Sequence, residues 1–142
     1  MEKDLVFDYA ELCIFWYNNN NSNLLLTGYK MCLRVNLFGV DSGASTHVSM
    51  FVHLMQGDFD SILPWPFPGK IILTAVDQSE NEQIHVSETL VSRPGLQAFL
   101  RPRAPRNHKG YGYVEMIAHT ILRTREYIKN NSMIVHVRVE PS

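Results

Sequence analysis

Two cysteines and six histidines are the residues of this chain with the most versatile chemistry, and their spacing limits what they can do. Cys13 and Cys32 are too far apart for a Cys-x-x-Cys motif, and the histidines form neither His-Glu-x-x-His nor a Cys/His set at zinc-finger intervals. His47 and His53 share parity on one segment without reaching contact distance, so they read as ordinary surface histidines and no metal is expected. A Cys–His hydrolase would bring its partners together only in space. Neither cysteine opens a helix or has a neighbour placed to lower its thiol pKa, and there is no Gly-x-Ser-x-Gly elbow and no phosphate loop. No catalytic residue is assigned and no enzyme is expected. A cysteine beside a histidine in a cleft would overturn that reading.

The segment KGYGYV, Lys109–Val114, asks a different question, because glycine occupies every second place in what otherwise reads as a strand. Glycine weakens a strand interior by about 0.5–1 kcal/mol relative to alanine, so its repetition calls for a close approach of backbone or ligand. Gly110-x-Gly112 does not cradle a phosphate, since the chain continues as a strand and offers no helix start. Two readings stay open: a strand tucked under its own sheet, or an exposed edge to which a peptide adds, with Tyr111 and Tyr113 lining a pocket and a side chain at Gly112 blocking the approach. From Thr89 to Val114 the chain carries Arg93, Arg101, Arg103, Arg106 and Lys109 and no acidic residue, which favours an acidic partner.

The elements that position these residues are mostly of period two. Lys30–Leu37, Val48–Leu54, Lys70–Asp77 and Met133–Glu140 read as strands, the third apolar on both faces and therefore central. Turns are signalled by residues 39–45 and 56–60 and by Asn130-Asn131, while Leu63–Phe67 (LPWPF) forms a corner and Ala118–Arg125 alone looks helical. Such a chain of 142 residues predicts one antiparallel β-sandwich. A net charge of −1 and 19% charged residues recruit no nucleic acid, and no apolar run approaches the ~20 residues that cross a bilayer. The free thiols suggest a reducing, cytoplasmic setting.

Three blocks, GYKMCLRVNLFG (Gly28–Gly39), THVSMFVHLMQGDFDSILPWPFPGKIILTAVDQS (Thr46–Ser79) and FLRPRAPRNHKGYGYVEM (Phe99–Met116), resemble the C-terminal TRAF (MATH) domain of the tumour-necrosis-factor-receptor-associated factors, the last block most like the family's sixth member. The final stretch, Tyr127–Ser142, continues the resemblance, which divides the chain into a divergent segment 1–27 and a domain 28–142.

The resemblance implies an all-β antiparallel sandwich of about eight strands, its first strand replaced or missing. It implies a signalling adaptor without cofactor that binds receptor or adaptor tails of the type Pro-x-Glu-x-x-(aromatic or acidic). The ligand would lie along Gly110 and Gly112, its proline enclosed by Leu90, Tyr111 and Tyr113, its glutamate held by the N–H groups of Gln97 and Ala98 near Lys109. Residues 43–45 offer no cation to the last anchor, which is expected to be read loosely. The family's homotrimer is expected to be weak in these residues, which contain no coiled coil. The alternatives are a truncated domain that folds without trimerising or binding, and the Cys/His hydrolase.

Overall fold

Alternating burial turns the period-two segments into strands. The computed structural model describes residues 28–140 in full and, as backbone pairing alone, the strands Glu2–Phe7 (β1) and Leu12–Trp16 (β2). Then follow Lys30–Asn36 (β3), His47–Met55 (β4), Lys70–Ala75 (β5), Val86–Val91 (β6), Tyr111–Ala118 (β7), the short Ile128–Lys129 (β8) and Ser132–Glu140 (β9). One sheet has the order β1-β9-β5-β6, with β8 beside β9, and the other the order β2-β3-β4-β7, every pair antiparallel. Thus β5 is central, as its sequence suggests. Where the sequence leaves the first strand replaced or missing, β1 pairs with β9 and β2 with β3, so the segment ahead of Gly28 contributes to both sheets.

The core lies between the sheets. Val48, Met50, Val52 and Leu54 point inward from β4 against Met133, Val135, Val137 and Val139 of β9, all buried. An aromatic set closes one end: Tyr29 meets Phe67 edge-to-face at 4.8 Å and Trp65 at 5.2 Å, and the Trp65 indole N–H donates to the Asp60 carbonyl at 2.7 Å. The 130–131 turn is the tight hairpin its sequence predicts, with φ of 53° and 62° at Asn130 and Asn131. The predicted helix shrinks to one turn, His119–Leu122.

β4 and β7 do not pair evenly. Between the Val48–Ile117 and Met50–Tyr113 pairs, Ser49 alone faces Val114, Glu115 and Met116, a bulge that bends the strand. Ser49 is fully buried, and its hydroxyl donates to the Val114 carbonyl at 2.7 Å and accepts from the Val40 N–H at 3.0 Å. The bulge therefore leaves no buried hydroxyl unpaired.

The loop after β5 is organised by Asp77, also fully buried. Its carboxylate accepts from the Ser79 hydroxyl at 2.5 Å, the Ile84 N–H at 2.9 Å, the Ser79 N–H at 3.1 Å and the Arg125 guanidinium at 3.2 Å. Burial alone would raise its pKa, but these hydrogen bonds outweigh burial and hold the carboxyl well below the usual carboxylate range. A depressed folded pKa stabilises the fold above the unfolded value, and that stability drains away as pH falls through the folded one. Asp77→Asn should therefore lower the urea midpoint at neutral pH, and its deficit against the parent should shrink between about pH 4 and about pH 2.

Candidate functional site

β7 is the last strand of its sheet. One side pairs with β4; on the other no strand follows among the described residues, so alternate N–H and C=O groups of β7 face outward. β6 is the last strand of the opposite sheet and runs beside it, bridged by the Tyr113 hydroxyl, which donates to the Thr89 carbonyl at 2.9 Å. Burial first, then the negative charge of Glu88, raises the Tyr113 pKa, which keeps that donor protonated. Two sheet edges thus open on one flank.

Register assigns the faces. Tyr111 and Tyr113 stand opposite Val52 and Met50, which point to the core, while Gly112 stands opposite Phe51 on the outer face. Both tyrosines are half-buried, and Tyr111 packs on Phe99 at 5.1 Å with the Arg93 guanidinium 5.9 Å from its ring centre. Leu90, grouped with them by the family resemblance, is 1% exposed and belongs to the core beneath them, with no surface of its own.

The bare glycine positions have an internal explanation. A Cβ at Gly112 would collide with the Met50 carbonyl and come 2.7 Å from the Phe51 Cα, and one at Gly110 would come 2.6 Å from Nε2 of His53. Backbone and imidazole of the neighbouring strand fill the space that side chains would take, so the tucked-strand reading accounts for both glycines while the far side of β7 stays open. A side chain at Gly112 therefore disturbs the sheet before it could block a ligand.

Asn107 ties the parts of this flank together. It is 7% exposed; its N–H donates to the Leu54 carbonyl at 2.7 Å, its amide nitrogen to the carbonyls of Gln97 at 2.9 Å and Ala98 at 3.4 Å, and its amide oxygen accepts from the Lys109 N–H at 3.3 Å. The 3-10 turn Gln97–Phe99 is thereby fixed beside the start of β7. The N–H groups of Gln97 and Ala98 open that turn and donate to no acceptor among the described residues. Gln97 and Lys109 are exposed.

His53 corrects the sequence reading: it is 3% exposed, not a surface histidine. Its Nδ1 lies 2.9 Å from the Asn107 carbonyl and so carries the proton, leaving Nε2 as a buried, unpartnered acceptor against Gly110. Burial lowers its pKa, with the charges of Arg106, Arg34 and His108 adding to the effect. A cysteine beside a histidine was not expected, yet Cys32 stands directly opposite His53. The pair lacks the rest of a nucleophilic site: Cys32 is 1% exposed, and burial pushes its thiol pKa up despite Arg106 and Arg34 nearby.

The outer face also carries a cation, Arg34. The Arg34 guanidinium lies 4.4 Å over the Phe51 ring, in the register row of Gly112, and Gly43 sits against the Val114 carbonyl, two residues further along β7. No group of metal-ligating side chains occurs among the described residues, and none of their helices is long and apolar enough to cross a membrane.

Two measurements check this geometry. Both Gly112→Ala and Gly110→Ala should lower the melting temperature, the first more, because its Cβ overlaps the β4 backbone while the second presses on the edge of the buried His53 ring. The lowered His53 pKa means that the unfolded chain binds its proton first. Stability should therefore fall as pH drops from about 7.5 to about 5.5, less steeply in His53→Gln.

Comparison with known proteins agrees with this architecture. Residues 22–136 match the family profile described as TRAF/meprin, MATH domain. TNF receptor-associated factor 6-A of Xenopus laevis is 45% identical over 117 residues, 79% of this chain and 20% of that protein. TNF receptor-associated factor 6 of Homo sapiens is 45% identical over 115 residues, 79% of this chain and 22% of that protein. The chain thus spans about a fifth of the length of these relatives. The solved structure of Notothenia coriiceps TRAF5 superposes with a TM-score of 0.76 at 34% identity, covering 82% of this chain and 58% of that one. Sandwich topology, sequence profile and relatives agree: the chain belongs to the TRAF/meprin MATH-domain family.

Proposed function

We propose that this domain is a cytoplasmic signalling adaptor module that binds short segments of receptor or adaptor tails, of the form Pro-x-Glu-x-x-(aromatic or acidic), by adding them as a strand to β7. The observation that carries the reading is the open edge of β7 set beside two free N–H groups, those of Gln97 and Ala98. The edge supplies main-chain hydrogen bonds, Tyr111 and Tyr113 an apolar surface for the proline, and the paired N–H groups with Lys109 a seat for the glutamate. Arg34 over Phe51 offers the last anchor a cation on the outer face, in place of the loose reading that residues 43–45 suggest.

A handful of exposed hydrogen bonds, each worth about 1 kcal/mol net, supports affinity in the micromolar-to-millimolar range. Useful avidity then comes from several copies acting together, which raises it by roughly 10²–10⁴ without new contacts. In fluorescence polarisation, a labelled Pro-x-Glu-x-x-Tyr peptide should bind, and Glu→Ala in the peptide should weaken it about tenfold or more. Arg34→Ala should weaken the parent peptide but not one ending in alanine. Absence of binding at millimolar protein, or affinity unchanged by both Lys109→Glu and Tyr111→Ala, would overturn the proposal.

A further inference from the structure

A cleft of about 810 Å³ adjoins the glutamate seat without entering the reading above. Trp65, Pro66, Gln97, Arg101, Arg103 and Asn107 form part of its wall. Both arginines are exposed, and neither has an acidic partner among the described residues. The segment from Thr89 to Val114 contains no carboxylate to neutralise them. Two arginines lining one cleft suit a carboxylate or a phosphate, which their planar guanidinium forks can bind through paired hydrogen bonds.

The direction of the ligand decides what arrives there, and this step rests on the function proposed above. A proline at Tyr111 and Tyr113 followed by a glutamate at Gln97 and Ala98 runs antiparallel to β7, so the ligand continues past Lys109 toward Asn107. On an extended strand, side chains two apart share a face about 6.6 Å further on. The second residue after the glutamate therefore points to the same side as the glutamate, over the cleft that Gln97 and Asn107 share with Arg101 and Arg103. We propose that this cleft is an additional specificity pocket, selecting an anionic side chain, carboxylate or phosphate, two residues after the glutamate of the bound peptide.

Three labelled peptides, Pro-x-Glu-x-Z-Tyr with Z as aspartate, phosphoserine or alanine, test it by fluorescence polarisation against the parent domain and the Arg101→Gln/Arg103→Gln variant. Both arginines are exposed, so the variant should fold, which its near-UV spectrum and melting temperature verify. The aspartate or phosphoserine peptide should bind the parent about fivefold tighter than the alanine peptide, as exposed but doubled charge pairing allows. The variant should erase that difference and leave the alanine peptide unchanged. Whichever anion gains more identifies the chemistry the cleft prefers. Equal weakening of all three peptides in the variant would mean a general field and overturn the pocket, as would three equal affinities for the parent. Either result leaves the edge-binding function standing, whereas failure of all three peptides to bind the parent would overturn both.

Discussion

Asn107 is the point on which this flank of the molecule depends. Its four polar groups reach three different segments: β4, through Leu54 and the imidazole of His53; the turn at Gln97 and Ala98; and Lys109, just ahead of β7. A buried side-chain amide is costly unless satisfied, and here satisfaction requires that all these segments be in place together. The turn is too short to hold its own position, so the direction of its free N–H groups is set from outside it. The geometry that could seat an anion is therefore a property of the sheet pairing transmitted through one residue.

The edge of β7 is shaped by the strand behind it. At Gly112 the β4 backbone comes so near that no side chain fits, and at Gly110 the His53 ring occupies the corresponding space. Two residues further on, the bulge around Ser49 lets β7 bend away, with the buried hydroxyl supplying the bond that the uneven register would otherwise leave unmade. The neutral state of His53 belongs to the same arrangement. A proton on Nε2 would put a positive charge among Arg34, Arg106 and His108, against a glycine that offers it no acceptor.

What could be read from the sequence was what depends on local periodicity. Strands β3, β4 and β9 announce themselves because apolar residues recur at every second position, β5 because it is apolar on both faces, and the hairpin at Asn130-Asn131 because few other residues accept its positive φ. The relation of Gly112 to Met50 could not be read, since the two are 62 positions apart and meet only through sheet pairing. The same holds for Arg34 over Phe51, which follows from a register that no single segment contains. His53 looked like a surface residue because its strand alternates and its parity is the outer one. What buries it is the irregular run 105–109, anchored by Met55 opposite Arg106 and by the bond from Gln56 to the Pro105 carbonyl, which has no periodic signature.

An open strand edge has a hazard as well as a use. Unpaired backbone attracts any extended chain, including the same edge of another copy, and β6 opens on the same flank as β7. A second copy docked edge to edge would bring two sets of Arg93, Arg101, Arg103, Arg106 and Lys109 together with no carboxylate from residues 89–114 between them. Like charges repel at such range, so the field of this cluster opposes pairing of two such edges, and on the function proposed above it would favour an acidic strand. On that function one cluster of positive charge would separate self from guest, and a single acidic substitution in it would blur both sides of that distinction at once.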